Sequence, residues 1–215
     1  MKIINEETKE IFTSLNSANN NYFRNKKVLL LGSDGFIGRY FVEYFSYLVK
    51  KKFNIMVDCI DNNISSKHTH KYKEKNIRFY KKNIMKFNIA KKYDIIIFLA
   101  GIASPTIYKK YPLESLEVSY IGAKKFLEKS KKDNSSFIFF SSSEIYGNPD
   151  ISNIPTKETY YGNVNSFGSR SCYDEGKRVG ETLCYIYKNY LKTKVKILRP
   201  FNVFGPGMSK NDDRV

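Results

Sequence analysis

Two side chains in the C-terminal third of the chain have the types and the spacing needed for proton transfer. Tyr173 and Lys177 lie four residues apart in a segment, 173–191, that is predicted to be one long helix, so they share a helix face. A lysine ammonium beside a phenol favours the phenolate, which can accept a proton from a hydroxyl group. The same spacing is common on ordinary helices, and its interpretation therefore depends on the rest of the sequence.

A polar cluster directly follows a strand predicted at 136–140. The sequence there is SSSEIYG, residues 141–147. Side chains at the carboxyl ends of parallel strands meet at one edge of the sheet, where α/β proteins bind ligands. A serine hydroxyl from this cluster can hydrogen-bond the same substrate oxygen as Tyr173. The carboxylate of Glu144 either belongs to this site or is a solvated side chain at a strand end.

A glycine-rich turn lies between a strand predicted at 27–31 and a helix predicted at 36–49. Gly32, Gly35 and Gly38 follow the pattern GxxGxxG, which permits a tight turn and lets the backbone approach a pyrophosphate at the helix N-terminus. Asp61 ends the next predicted strand, where a carboxylate accepts hydrogen bonds from an adenosine ribose and repels a 2′-phosphate. A plain turn before a helix and a simple turn aspartate are the alternatives, but together the two features favour NAD over NADP.

Strands and helices alternate along the chain, and this alternation indicates the fold class. Further strands are predicted at 54–60, 77–80, 94–99 and 194–198, and a further helix at 113–131. The pattern predicts an α/β fold of the Rossmann type, a doubly wound parallel sheet with helices on both faces. Residues 1–25 are polar and are expected to form a frayed or loosely docked extension, whereas residues 26–215 form the NAD-binding domain.

The composition argues against several classes of protein. The net charge of +16 comes from lysines spread along the chain as pairs, which favours biased codon usage over nucleic-acid binding, although a positive field also attracts an anionic diphosphate. No apolar stretch is long enough to span a membrane. Three cysteines, an odd number, are typical of a reduced cytoplasmic protein. His68 and His70 lack further ligands at metal-binding spacing, so no metal site is predicted.

These motifs, in this order, resemble the extended short-chain dehydrogenase/reductase family, which is the NAD-dependent epimerase/dehydratase family. The resemblance runs from about Lys27 to the C-terminus and is most specific in SSSEIYGNPD (141–150), SCYDEGKRVGETLCYIY (171–187) and RPFNVFGPGMSKNDDRV (199–215). In these segments the chain is similar to the UDP-glucuronate decarboxylases. Members of the family continue well beyond the position that matches Val215, so the C-terminal substrate subdomain is expected to be largely absent and only the start of the nucleotide-sugar-binding region to be present.

The resemblance implies a role for each matching residue. Tyr173 would be the catalytic base, assisted by Lys177, with Ser142 at the family's catalytic serine or threonine position and Glu144 as the acid that most epimerases lack. The implied contacts with NAD are Gly32, Gly35, Phe36, Ile37, Gly38, Asp61, Asn62, Asn83, Ile84, Leu99, Ala100, Gly101, Tyr173, Lys177 and Val203. The implied contacts with the nucleotide-sugar are Ser104, Ser143, Asn202 and Arg214.

The resemblance also implies a reaction and partners. C4 of UDP-glucuronate would be oxidised with NAD, the resulting β-keto acid would lose CO2, and C4 would be reduced again to give UDP-xylose. The alternatives are a nucleotide-sugar 4,6-dehydratase or 4-epimerase, and a truncated NAD-binding module without turnover. A cytoplasmic homodimer that pairs the helices at 113–131 and 173–191 is expected, with no nucleic-acid and no membrane partner.

Overall fold

A six-stranded parallel sheet forms the centre of the structure, a computed structural model that describes residues 2–65, 72 and 74–208. Its strands are β1 (Lys27–Leu31), β2 (Met56–Asp61), β3 (Ile77–Lys81), β4 (Ile95–Phe98), β5 (Ser136–Phe140) and β6 (Lys194–Leu198). They stand in the order β3-β2-β1-β4-β5-β6, so the strand order reverses between β1 and β4. This is the order of a Rossmann-type doubly wound sheet, and it confirms the predicted fold class.

Helices cover both faces of this sheet. Those of the described residues are α1 (Lys2–Ser14), α2 (Ser17–Asn21), α3 (Phe36–Lys50), α4 (Pro105–Lys110), α5 (Pro112–Glu117), α6 (Ala123–Asp133) and α7 (Ser171–Asn189). The helix predicted at 113–131 is divided into α5 and α6 by a π-helical turn, Val118–Gly122. The short helix α4 was not predicted, because six residues carry too little periodicity to be recognised.

The central strands are apolar on both faces because each face has its own core. Val28 and Leu30 of β1 pack on one side of the sheet against α3. Leu29 and Leu31 pack on the other side against α6 and α7. Because β1 runs parallel to β2 and β4, the glycine-rich turn that follows it lies at the carboxyl edge of all the strands.

The N-terminal segment differs from the frayed extension that its polar composition led us to expect. In α1, Ile4 and Thr8 are buried, and Phe12, four residues further on, packs its ring 5.1 Å from that of Tyr47 in α3. The hydroxyl of Tyr40, also in α3, donates a hydrogen bond of 2.7 Å to Glu7. One stripe of side chains, spaced four residues apart, is therefore enough to dock this helix although the segment as a whole is polar.

Two absences hold for the described part of the chain. No helix in it is long and apolar enough to cross a membrane. Nor does it contain a group of three His, Cys, Asp or Glu residues placed to hold a metal ion. His68 and His70 lie outside the described residues.

Candidate functional site

A cavity of about 900 Å³ opens at the carboxyl edge of the sheet, where the strand order reverses between β1 and β4. In doubly wound folds this reversal creates the crevice in which ligands bind. The volume is within the range of small-molecule and cofactor sites. The predicted site residues that line it are Gly32, Gly35, Phe36, Ile37, Gly38, Leu99, Gly101, Ser104, Ser142, Ser143, Glu144, Tyr173, Lys177, Asn202 and Val203.

The glycine-rich turn forms one wall of the cavity. Gly32 has a φ of +87°, and a Cβ there would lie 2.7 Å from the backbone nitrogen of Ala100. A Cβ on Gly38 would clash with the carbonyl oxygen of Gly32. A Cβ on Gly35, by contrast, would meet nothing closer than 3.5 Å. The first and third glycines therefore shape the turn, whereas the second leaves open space in front of the N-terminus of α3, where a diphosphate can approach the backbone.

Helix α7 places Tyr173 and Lys177 at the far wall. The Nζ of Lys177 donates a hydrogen bond of 2.7 Å to the carbonyl oxygen of Phe140 at the end of β5, and it lies 5.7 Å from the centre of the Tyr173 ring. The helix can approach β5 this closely because Gly180 has no side chain, and a Cβ there would clash with the ring of Phe139. Burial lowers the pKa of Lys177 to about 8.

The ring of Tyr173 stacks on that of Tyr108, a residue that the sequence did not single out. The two rings are nearly parallel, at 10°, with their centres 5.6 Å apart. Tyr108 belongs to α4 and is almost completely buried, and burial raises the pKa of its phenol. Helix α4 thus fixes the plane of the Tyr173 ring.

The polar cluster after β5 lies beside this pair. The Oγ of Ser142 accepts a hydrogen bond of 3.3 Å from the backbone N–H of Glu144 and caps a 3₁₀ turn, Ser143–Tyr146. The backbone N–H of Ser143 donates to the carbonyl oxygen of Pro200 at 3.0 Å, which ties the cluster to the segment after β6. The hydroxyl of Ser142 and the carboxylate of Glu144 are consequently held at the same end of the cavity as Tyr173.

Arg170, which the sequence also did not single out, joins two carboxylates at this end. Its guanidinium donates a hydrogen bond to Oε2 of Glu144, and its Nε lies 3.6 Å from Oδ2 of Asp174. The other oxygen of Asp174, Oδ1, is buried without a hydrogen-bond partner. Burial raises the pKa of Asp174 to about 6, and Arg170 acts in the opposite direction. A signal was present in the sequence, because residues 170 and 174 have the i,i+4 spacing of a helical ion pair.

Asp61 lies behind the glycine-rich turn and is not part of the cavity wall. Its carboxylate accepts hydrogen bonds from the backbone N–H groups of Asp34 at 2.9 Å and Asn63 at 2.8 Å. Burial raises the pKa of Asp61, and the nearby charge of Asp34 adds to the rise. The carboxylate therefore stands at the end of β2, as the sequence predicted, although its two oxygens are engaged by backbone groups.

Five of the predicted contacts do not line the cavity, and a sixth cannot be located. Besides Asp61, the Oδ1 atoms of Asn62 and Asn83 cap local turns by accepting from Ile64 and Met85. The other two residues are buried in the core, Ile84 and Ala100. Arg214 lies outside the described residues.

Comparison with known proteins shows the family. Residues 28–215 match the NAD dependent epimerase/dehydratase family. The chain belongs to this family. UDP-glucuronic acid decarboxylase 1 of Xenopus tropicalis is 34% identical over 198 residues, which cover 88% of this chain and 44% of that relative. The chain thus spans about half the length of the curated relatives that it matches.

Solved structures of similar fold carry the same family resemblance. An epimerase from Methanothermobacter thermautotrophicus matches with a TM-score of 0.72 at 25% identity, over 88% of this chain and 55% of the other. UDP-glucose 4-epimerase from Thermotoga maritima matches with a TM-score of 0.65 at 28% identity, over 84% of this chain and 57% of the other.

The epimerase/dehydratase family uses NAD, and the cavity of this chain fits that cofactor. The open space in front of Gly35 suits the diphosphate, and Asp61, just behind the turn at the end of β2, would be the acid nearest an adenosine ribose. Lys177 and Tyr173 would then face the nicotinamide end, because they lie at the opposite side of the cavity from the end of β2.

Proposed function

We propose that the chain carries the cofactor site and the proton-transfer groups of an NAD-dependent decarboxylase that acts on UDP-glucuronate. The observation that carries the proposal is the position of Glu144, whose carboxylate lines the same cavity as Ser142, Tyr173 and Lys177. An acid at this place is the feature that the sequence shares with decarboxylases and that most epimerases lack. The similarity to UDP-glucuronic acid decarboxylase 1 supports the same choice.

Proton transfer at C4 is the task of the tyrosine in this proposal. Tyr173 takes the proton from the C4 hydroxyl, and Ser142 hydrogen-bonds the same oxygen. The ammonium of Lys177, 5.7 Å from the ring centre of Tyr173, favours the phenolate that this step needs. Bound NAD would supply the hydride acceptor for the oxidation of C4 and, as NADH, the hydride for its later reduction.

Glu144 acts on the other side of the sugar ring, at C5. Arg170 holds its carboxylate at this end of the cavity. There it orients the ring and passes a proton from solvent water to C5 after CO2 has left. Ser104, Ser143, Asn202 and Arg214 are the proposed contacts with the nucleotide-sugar; the first three line the cavity. The β-keto acid loses CO2 because the C4 carbonyl accepts the electrons of the broken bond.

Product analysis tests the proposal directly. The chain is incubated with NAD and UDP-glucuronate, and the products are identified by mass. We expect CO2 and a UDP-pentose. A 4-keto product that retains C6, or an isobaric C4 epimer, would instead assign the chain to the dehydratases or epimerases. The absence of any product, with NADH binding intact, would assign it to the NAD-binding modules without turnover.

Substitution of Glu144 tests the residue that carries the proposal. Glu144→Gln should still form NADH when UDP-glucuronate is added, since oxidation at C4 does not need this carboxylate, but it should release less CO2. Glu10→Gln removes an exposed glutamate of α1 and is the matched control. Equal loss of NADH formation and CO2 release in Glu144→Gln would remove the specific role at C5.

We also propose that two copies of the chain pair through α7 and the helical segment 113–131, which begins with α5. Helices α5 and α7 pack side by side, and apolar side chains remain exposed on α5 (Leu113, 71% exposed, and Leu116) and on the π-helical turn that follows it (Tyr120). Their spacing of three and four residues forms one stripe, and an exposed stripe of this kind is typical of a protein interface. Sedimentation should show a dimer that Leu113→Asp converts to a monomer, whereas Ile151→Asp, at an exposed position outside these helices, leaves it intact.

A cytoplasmic location is proposed on the cysteines. Cys59 and Cys184 are buried and Cys172 is half-buried, and none of the three forms a disulfide. Free thiols are typical of reducing compartments. Fractionation of the source cells with a specific antibody tests the location, and recovery from an oxidising compartment would contradict it.

A further inference from the structure

A second carboxylate, that of Asp34, stands next to Asp61 in the glycine-rich turn. Asp34 is the residue before Gly35, and its backbone N–H donates to Oδ2 of Asp61 at 2.9 Å. Its side chain lines the cavity but is only 5% exposed. The close approaches that shape the turn are those of Gly32 and Gly38, and neither of them involves the carboxylate of Asp34.

Hydrogen bonds from two neighbouring side chains help to hold this carboxylate in place. The Oγ of Ser33 donates to Oδ1 of Asp34 at 3.1 Å, and the Nδ2 of Asn63 donates to Oδ2. The backbone N–H of Asn63 donates in turn to Oδ1 of Asp61 at 2.8 Å. Asn63 thus bridges the two acids, and Asp34 cannot turn away from Asp61 as an exposed aspartate could.

The pair lies where the two forms of the dinucleotide differ. NADP carries a phosphate on the 2′-oxygen of the adenosine ribose, and the acid at the end of the second strand accepts a hydrogen bond from that oxygen in NAD. A phosphate monoester has a charge of about −1.5 to −2 at neutral pH. At this place it would meet two carboxylates, both partly removed from water, so the repulsion would be only weakly screened.

We propose that Asp34 is a second specificity-determining residue, which acts with Asp61 to select NAD against NADP. Replacement of Asp61 alone would then leave a carboxylate that still opposes the 2′-phosphate. The inference rests on the binding of NAD and not on the decarboxylation proposed above, so either can fail without the other.

The test measures the affinities of the full chain for NADH and NADPH by the fluorescence of the reduced nicotinamide. Asp34→Asn keeps the shape and most hydrogen bonds of the side chain but removes its charge. We expect it to lower the preference for NADH over NADPH about tenfold, as for the removal of one of two like charges at a partly solvated site. Asp61→Asn should act in the same direction, and the double variant should lose most of the preference. Asp150→Asn, an exposed acid in a distant loop, should keep it.

The ratio of the two affinities separates specificity from a structural effect. Equal weakening of NADH and NADPH binding by Asp34→Asn, or an unchanged ratio, would overturn the proposal, since a residue that only supports the turn affects both cofactors alike. Asp34→Ser, which also lacks the charge but can still hydrogen-bond Asn63, replaces Asp34→Asn if that variant does not fold. Loss of the preference in Asp61→Asn alone, with none in either Asp34 variant, would assign the whole discrimination to Asp61.

Discussion

Lys177 should make the stability of the chain depend on pH above 8, because its ammonium is buried. Burial lowers the pKa of this lysine from 10.5 to about 8. Between these two values the unfolded chain still holds a proton that the folded chain has released, so stability rises with pH across this window. At 1.36 kcal/mol for each pH unit, the whole window corresponds to about 3 kcal/mol. Below pH 8 the buried ammonium lowers the free energy of unfolding by this whole amount.

The variant Lys177→Met isolates this contribution. Denaturant unfolding of both proteins between pH 7 and 10 gives their free energies of unfolding, and ionisations that the two proteins share cancel in the difference. We expect the wild type to gain about 2.5 kcal/mol relative to the variant over this range. Lys188→Met, which removes an exposed lysine of the same helix, should follow the wild-type curve, because this ammonium is hydrated in both states.

The reasoning would be refuted if the free energies of unfolding of wild type and Lys177→Met differed by the same amount at every pH from 7 to 10. That result would mean that the folded chain keeps the proton, and hence that water or the hydrogen bond to Phe140 compensates for burial. The absolute stability of the variant does not decide the matter. Loss of the hydrogen bond to Phe140 destabilises the variant, whereas loss of the buried charge stabilises it. Both effects on the free energy of unfolding of the variant are independent of pH.

Three further substitutions probe the cavity. Tyr173→Phe should lower NADH formation from UDP-glucuronate by about 10²–10⁴-fold in stopped-flow absorbance and leave NADH affinity nearly unchanged; retained activity would remove the base from the mechanism. Gly32→Ala should lower the free energy of unfolding by roughly 2 kcal/mol or more and weaken NADH binding, because its Cβ would lie 2.7 Å from Ala100; a variant of wild-type stability would contradict the close approach. Asp174→Asn should stabilise the chain by roughly 2 kcal/mol at pH 7, since burial raises the pKa of this carboxyl to about 6 and the charged form is disfavoured above it. This gain in stability should shrink as the pH falls from 6 towards 4, because the wild-type carboxyl is then protonated in the folded state. A gain that persists at pH 4 would contradict the raised pKa of Asp174.

The sheet and the principal site residues were predictable because their signals are local. Each strand is a short apolar run, and Gly32, Asp61 and Ser142 each stand at or just after the end of one. A parallel sheet brings all such ends to one edge, so the order of motifs in the sequence was enough to assemble the cavity. The boundaries moved by one or two residues, as with β2, which starts at Met56 and not at 54.

The supporting contacts were not predictable because they join distant parts of the chain. Tyr108 stacks on Tyr173, which is 65 residues away in the sequence, and lies on a helix of only six residues. Arg170 reaches Glu144 across 26 residues. No periodicity or spacing marks such pairs. They come together only because Tyr108 of α4 packs on α7 and α7 packs against β5.

The distribution of charge is a further consequence of the topology. Lysines that form separate pairs in the sequence precede or begin successive strands, and the parallel sheet gathers them at the edge opposite the cavity: Lys26, Lys27, Lys91, Lys92, Lys131, Lys132, Lys192 and Lys194. A strand of five residues is about 16 Å long, roughly twice the distance over which physiological salt screens exposed charges. These lysines therefore contribute little to the electrostatic potential at the cavity. The net charge of +16 had suggested a field that attracts a diphosphate.

Besides the N-terminus of α3, the groups that can attract the diphosphate are the cationic side chains in the cavity wall. Arg39, in the first turns of α3, is the one nearest the glycine-rich turn in sequence, and its guanidinium donates to the carbonyl oxygen of Gly207 at the cavity. Arg39→Gln should therefore weaken NADH binding and reduce its dependence on salt. A second variant replaces Lys91, Lys92, Lys131 and Lys132 by glutamine and so removes four charges from the opposite edge. It should change the affinity for NADH and its salt dependence far less. The reverse order of effects, measured by fluorescence titration at several salt concentrations, would show that net charge and not local geometry determines the attraction.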